Sequence, residues 1–140
     1  MKKAPILISC FFIIATGCTK NSAVTDLNKS IIGKWELTRT ISGWGGEKVY
    51  APGNGNTILF EGNNAIQYIA YNDTTFTYEG SYSIFKGKPC EFAPATTLFR
   101  FYTPDGLGYD QEIILSDGEL KIGTTQCIAD GGTSFYRRIE

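Results

Sequence analysis

The residues of this chain that could carry chemistry are its cysteines, its eight tyrosines, scattered carboxylates and one arginine inside an apolar strand pattern. None of the 140 residues is histidine, which excludes Ser–His–Asp and Cys–His catalysis and His-ligated metals. Glu79 and Glu112 are carboxylates on exposed faces, and they form no pair suited to acid and base roles. Asp105 and Asp110 lie near glycines without the ligand series of a calcium loop. We therefore predict no catalytic residue, no metal and no cofactor.

The arginine, Arg39, lies in the alternating segment 33–42. Trp35, Leu37 and Ile41 share one face of this segment and polar residues occupy the other, which is the period of a half-buried β-strand. On that parity Arg39 points inward, where a guanidinium needs a partner. It could meet a ligand carboxylate, pair with a tyrosine or acidic residue near a rim, or be turned outward by a bulge.

Large apolar side chains, several of them tyrosines, alternate along the later strand candidates. They either fill a core or line a pocket in which tyrosine hydroxyls are polar handles. The glycine-rich segment 42–56 follows the first strand, and its Trp44 either contacts a ligand from a lid or folds onto the rim. The predicted ligand-binding residues are Leu37, Arg39, Trp44, Phe60, Phe76, Tyr78, Tyr82 and Phe101.

Eight segments are strand candidates, and short turns with Gly, Asn or Asp separate most of them. Since no helical pattern interrupts them, they predict an antiparallel meander. Eight strands can close with room for side chains or one small ligand, and a two-sheet sandwich is the alternative. The candidates are 33–42, 57–61, 65–71, 75–85, 96–103, 109–116, 119–124 and 133–139.

The first and last strands resemble those of lipocalin-like barrels, in which a Gly-x-Trp opens the first strand. Gly33 and Trp35 match that motif. Arg137 shares the parity of Phe135, which continues the apolar set, and of Ile139, so we match it to the arginine that, in the resemblance, packs across the tryptophan and closes that end. It implies an all-β, eight-stranded up-and-down barrel over residues 31–140 that binds a small apolar or amphipathic ligand. The alternative is a filled barrel that binds a protein or glycan through its open-end loops. A third, enzymatic class, an isomerase- or hydrolase-like barrel, is the least favoured.

The N-terminus predicts a targeting segment. Lys2 and Lys3 precede the apolar run 6–15, which is too short to span a bilayer comfortably. The run leads into Ala-Thr-Gly-Cys18, which resembles the lipobox of bacterial lipoproteins, although Ala15 stands where that pattern more often has leucine. An ordinary cleaved signal is the alternative.

The lipobox resemblance implies a signal peptide over 1–17, a lipidated tether over 18–30 and the barrel domain over 31–140. Diacylated Cys18 would anchor the protein as an outer-membrane lipoprotein of the cell envelope, facing the periplasm or the surface. Asp26 is the expected N-cap of a short helical turn before the barrel. With a net charge of −1 and no basic cluster, nucleic acid is not an expected partner, and a monomer is expected.

Strand counting assigns the loops to the two barrel ends. It places 42–56, 72–74, 104–108 and 125–132 at the open end, and 62–64, 86–95 and 117–118 at the closed end. Cys90 and Cys127 then lie at opposite ends, although two cysteines left in an oxidising compartment usually pair. Because bridged Cα atoms lie about 4.4–6.8 Å apart, a disulfide requires segment 86–95 to fold back along the wall.

Overall fold

The computed structural model describes residues 22–106, 108–125 and 127–140, so the predicted signal peptide and Cys18 lie outside the described residues. The described residues form one helix and nine strands. These are α1 (Ser22–Ser30), β1 (Gly33–Ser42), β2 (Gly46–Val49), β3 (Thr57–Glu61), β4 (Asn64–Tyr71), β5 (Thr74–Gly87), β6 (Thr96–Tyr102), β7 (Asp110–Ser116), β8 (Glu119–Thr124) and β9 (Gly132–Arg138).

The strands form an antiparallel barrel. Each strand from β3 to β8 pairs with the next, β3 also pairs with β1, and β9 pairs back with β1, so eight of the strands in the described residues close into a ring. The predicted eight-stranded barrel is confirmed, and the sandwich alternative is wrong. The ninth strand, β2, lies inside the predicted loop 42–56 and pairs with the second half of β1.

A bulge interrupts β1. Leu37 pairs with Tyr136, but the next pair is Arg39 with Phe135, so Thr38 is an extra residue on β1. The Thr38 hydroxyl donates to the Phe135 carbonyl oxygen at 3.0 Å. Because an extra residue reverses the alternation that follows it, the side chains after Thr38 face the opposite way from the sequence parity.

Arg39 consequently lies on the outer face of the barrel. Its guanidinium carbon is 3.7 Å from the centroid of the Phe135 ring. Its Nη1 lies 3.3 Å from an oxygen of Glu47, and its Nη2 lies 3.5 Å from an oxygen of Glu119. The inward direction predicted for Arg39 is wrong, and the bulge that we left open as an alternative explains why.

Helix α1 covers the closed end of the barrel. Its Val24 and Leu27 pack against the core, and Ile31, just after the helix, is fully buried. The Trp35 indole N–H donates to the Ile31 carbonyl oxygen at 2.7 Å. The short helix predicted before the barrel is confirmed, but it covers residues 22–30 of the predicted tether, so Asp26 lies mid-helix rather than at an N-cap. No helix among the described residues is long and apolar enough to cross a membrane.

Arg138, not Arg137, closes this end over the tryptophan. Its guanidinium carbon lies 4.4 Å from the Trp35 ring centroid, and its nitrogens donate to the carbonyl oxygens of Ser30 and Ile32. The role predicted for Arg137 is wrong because Phe135, which shares its parity, points outward to Arg39.

Arg137 instead holds a buried carboxylate on the outer side of β1. Glu36 is only 4% exposed. It accepts hydrogen bonds from the Arg137 guanidinium and, at 2.6 Å, from the Gly53 backbone N–H. The hydrogen bond from Arg137 lowers the pKa of Glu36, burial opposes it, and the Gly53 N–H lowers the pKa further.

The segment between β2 and β3 is part of the wall and not a lid. Residues 50–56 run alongside the middle of β1, where the Asn54 amide donates to the Leu37 carbonyl oxygen at 2.8 Å. In return, the Leu37 N–H donates to the Asn56 carbonyl oxygen at 2.9 Å. These bonds occupy the edge of β1 between the part that pairs with β3 and the part that pairs with β2.

A disulfide joins Cys90 and Cys127, with their Cα atoms 6.1 Å apart. Residues of the 88–95 segment and Thr125 border a common crevice with Thr96 and Glu112 of the neighbouring strands. The segment therefore leaves the closed end and returns along the outer wall. Assigning 86–95 wholly to the closed end is wrong, and the predicted pairing of the two cysteines is supported.

We expect Arg138→Ala to lower the free energy of unfolding by about 1–3 kcal/mol, because it removes the contact over Trp35 and two hydrogen bonds to carbonyl oxygens. In a Trp44→Phe background, Trp35 alone would fluoresce, and its emission should shift to the red as the ring meets water. Denaturant unfolding and emission spectra measure both effects. Arg138→Lys should be intermediate, and an unchanged emission maximum for Arg138→Ala would contradict the role.

Glu36 should make stability depend on pH. Folding lowers the pKa of Glu36, so the ionised carboxylate contributes its full stabilising free energy at pH values above the unfolded pKa of about 4.3. This stabilisation is lost as the pH falls through the lower folded pKa. Glu36→Gln should therefore be less stable than the native chain at pH 7 and lose less stability between pH 7 and pH 3. Equal losses for the two proteins in denaturant titrations would rule this out.

Candidate functional site

The barrel interior is packed in its closed half. The Phe60 ring centroid lies 5.1 Å from that of Tyr82 and 6.0 Å from that of Phe99, both in edge-on arrangements. The Tyr82 hydroxyl donates to the Gly62 carbonyl oxygen at 2.7 Å. Three of the predicted ligand contacts belong to this buried core and do not border the cavity in the open half of the barrel: Leu37, Phe60 and Tyr82.

The open half of the barrel contains a cavity of about 740 Å³ that is open to solvent. Its deepest side chains come from four different strands and are nearly inaccessible, with exposures of 2–6%. More exposed side chains form its upper wall and mouth. The floor consists of Ile58, Phe99, Ile122 and Tyr136; the remaining lining residues include Gln67, Thr77, Tyr78, Glu79, Phe101, Thr103, Pro104, Asp105, Gly108, Tyr109, Gln111 and Ser134.

Strand register explains how the floor and the polar groups above it come together. Ile58 pairs with Gln67, which pairs with Tyr78, so these side chains share the inner face of β3, β4 and β5. Across the barrel, Phe99 pairs with Gln111. Opposite residues of antiparallel strands point to the same side of the sheet, so both glutamine amides face the cavity. The structure records no hydrogen bond for either side-chain amide within the described residues.

Tyr136 is the polar group at the floor. Its side chain is 6% exposed, and burial raises the pKa of its hydroxyl despite a hydrogen bond with Ser134. The tyrosines Tyr50 and Tyr109 raise this pKa further. The hydroxyl therefore keeps its proton at neutral pH and can donate or accept a hydrogen bond in the cavity.

The β4–β5 hairpin extends the apolar wall beyond the cavity. Pairing with β3 ends at Tyr68 and pairing with β6 begins at Ser81, so the tip of the hairpin rises above both neighbours. Ile69 pairs with Phe76 on the inner face there, and Phe76 is 47% exposed. The hairpin thus offers an accessible apolar surface that is continuous with Tyr78 of the cavity wall.

Carboxylates lie at the mouth. Asp105 of the β6–β7 connection borders the cavity, and Glu79 borders it through β5 while its side chain lies on the outer face of that strand; both residues are exposed. Tyr109, which is 65% exposed, completes this side. Within the described part of the chain, no three His, Cys, Asp or Glu side chains are grouped as a metal site would require.

Of the predicted ligand contacts, the structure brings Tyr78 and Phe101 to the cavity. Phe76 lies on the same face of β5 but beyond the cavity, on the hairpin tip. Trp44 is 85% exposed at the tip of the β1–β2 hairpin, where its indole N–H donates to the Asp130 carboxylate. One hydrogen bond therefore ties Trp44 to the neighbouring open-end loop while its ring stays largely in solvent, and Trp44 does not line the cavity.

Sequence reasoning missed the polar lining residues Gln67, Gln111, Ser134 and Tyr136. The alternation of β4 and β7 contained the necessary information, because it places both glutamines in line with apolar inward residues. In β9, Phe135 was taken as an inward residue, which placed Ser134 and Tyr136 on the outer face. The structure has the reverse: Phe135 contacts Arg39 on the outer face, and Ser134 and Tyr136 line the cavity.

Comparison with protein-family models, with curated proteins and with solved structures gives no match for this chain. The chemistry of the site is therefore argued from the chain's own residues. A deep apolar floor, amide and hydroxyl groups above it and an aromatic mouth can hold a small molecule by shape, burial and a few hydrogen bonds.

Proposed function

We propose that this protein binds a small apolar or amphipathic molecule in the open-end cavity, as a monomer and without catalysing a reaction. The observation that carries the proposal is the cavity itself, with its solvent-open volume of about 740 Å³ above a buried apolar floor. Sites for small ligands commonly measure about 300–1,000 Å³ and combine apolar walls with a few polar groups.

The walls suit a molecule with an apolar body. Phe99 and Phe101 on one side and Tyr78 on the other provide flat ring surfaces, and Ile58 and Ile122 complete the floor. Burying a ligand against such surfaces stabilises the complex by about 25 cal/mol for each Å² of apolar area removed from water, before the entropy cost of binding. The amides of Gln67 and Gln111 would orient its polar group.

An interaction module is the second candidate. Trp44, Tyr71 and Phe92 are 85%, 67% and 93% exposed, which is unusual for large apolar side chains and would suit contact with a protein or glycan. They lie on three separate loops or hairpins, however, and Trp44 is already hydrogen-bonded to Asp130. The continuous cavity therefore supports the small-molecule function better.

We further propose that the protein is a lipid-anchored lipoprotein of the cell envelope. The lipobox-like sequence before Cys18 supports the anchor, and the disulfide between Cys90 and Cys127 supports an oxidising compartment. Residues 19–21 separate Cys18 from α1, a span of at most about 14 Å when fully extended. Since α1 packs on the closed end, such an anchor would leave the cavity mouth free of the membrane.

The cavity proposal predicts that Gln67→Trp weakens binding of the neutral fluorophore N-phenylnaphthylamine by at least about tenfold, because the indole would occupy the space above the floor. Fluorescence titration of the full chain measures the dissociation constant. Native mass spectrometry of the purified protein would show whether a small molecule co-purifies.

The matched control is Tyr68→Trp, one residue along the same strand. Tyr68 pairs with Thr57 on the outer face, so this substitution should leave fluorophore binding unchanged. Equal affinity for Gln67→Trp and the native chain, or no saturable binding by the native chain, would exclude the cavity as the site.

The anchor proposal predicts that Cys18→Ala moves the protein from the membrane fraction to the soluble fraction of cells. The reason is that the alanine cannot be acylated, and no other acylation site is proposed. Quantitative blotting of the two fractions measures the shift, with Cys10→Ala as a control within the predicted signal peptide. Unchanged membrane association of Cys18→Ala would contradict the anchor.

A further inference from the structure

We infer that the cavity selects uncharged and cationic amphiphiles over anionic ones. This inference rests on the proposed binding function and narrows it to a class of ligand. Its basis is the charge of the site: Asp105 borders the cavity, Glu79 flanks its opening from the outer face of β5, and no described residue that lines the cavity is basic. A binding site for fatty acids or phosphorylated lipids would need the opposite charge.

The buried part of the cavity can accept only an uncharged group. The hydrogen-bonding side chains there are the half-buried amides of Gln67 and Gln111 and the hydroxyls of Ser134 and Tyr136, all of them neutral. A carboxylate or phosphate placed among them would lose its water and gain no cation in exchange, which is strongly unfavourable. Hydroxyl, ether and amide groups could exchange hydrogen bonds with these side chains at little cost.

The mouth adds a preference among charged ligands. Asp105 borders the opening between the first half of β5 and the β6–β7 connection, and Glu79, on the outer face of β5, flanks the same opening from outside; both are exposed. Their potential attracts a cationic head group and repels an anionic one, and salt should weaken the effect because both carboxylates are exposed to solvent.

Two basic residues near the open end, Arg39 and Lys48, do not border the cavity. Arg39 is on the outer wall, engaged by Glu47 and Glu119. Lys48 pairs with Thr40, which also pairs with Ser134, so Lys48 emerges on the inner side of the rim. Its ammonium lies 4.8 Å from the centroid of the Tyr50 ring and does not border the cavity. An anion bound at the rim would meet Lys48, and a Lys48→Met variant tests for such binding.

The test is displacement of N-phenylnaphthylamine from the full chain at pH 8 and low salt by decanol, decyltrimethylammonium and decanoate. These three probes share one alkyl chain and differ in the charge of the head group. We expect decanol and decyltrimethylammonium to displace the fluorophore at concentrations at least about tenfold lower than decanoate does. Glu79→Gln with Asp105→Asn should weaken the cationic probe several-fold and leave decanol unchanged.

The control variant, Glu61→Gln with Asp117→Asn, removes the same charge from closed-end turns and should not change the order of the probes. Displacement by decanoate as strong as by decanol would overturn the inference and leave the binding function standing. A decanoate affinity that the Lys48→Met substitution abolishes would also overturn the inference, because the decanoate carboxylate would then be bound by that lysine. Failure of all three probes would count against the binding function itself.

Discussion

Strand β1 has to hydrogen-bond with three strands at once, and the geometry of the barrel depends on this requirement. One edge of β1 pairs first with β3 and then with β2, and the other edge pairs with β9. The extra residue Thr38 lets both edges stay in register while the strand turns. Before the bulge, β1 brings Trp35 and Leu37 into the core. After it, Thr40 faces inward and Arg39 joins Phe135 on the outer wall, so no arginine of β1 reaches the cavity.

The contrast between a packed closed end and a hollow open end follows from strand lengths. An eight-stranded barrel is just wide enough for side chains to fill, and Trp35, Phe60 and Tyr82 do fill it where all the strands overlap. Toward the open end, β5 continues past the end of its pairing with β6, and β4 continues past β3. Inward side chains such as Tyr78 then have no paired residue beside them on β6. The cavity therefore opens where the wall between β5 and β6 is interrupted.

Alternation predicted every barrel strand to within two residues, because each of them has one face buried and one exposed. It missed β2, whose four residues are exposed on both faces and so show no alternation. Parity within a strand does not say which face is inward, and a single bulge or one misassigned aromatic reverses the answer. This is why Arg39 and Arg137 were assigned to the wrong face. The pairing of Cys90 with Cys127 was inferred from the compartment, against the loop geometry, and the length of segment 88–95 makes it possible.

The two glutamine amides that line the cavity were the part of the site that was hardest to predict. They are also the groups that would give the proposed binding its specificity. Pattern reading by residue type assigns polar residues to the outer face, so Gln67 and Gln111 were overlooked even though the parity of β4 and β7 places them inward. The strand register puts them beside Ile58 and Phe99. A polar side chain on an inward face is costly when it is packed without a partner, and acceptable when it borders a solvated cavity. Two such amides above one apolar floor are hard to explain by packing. In the proposed function, a ligand with an uncharged polar group replaces the water there and takes up the hydrogen bonds of both amides.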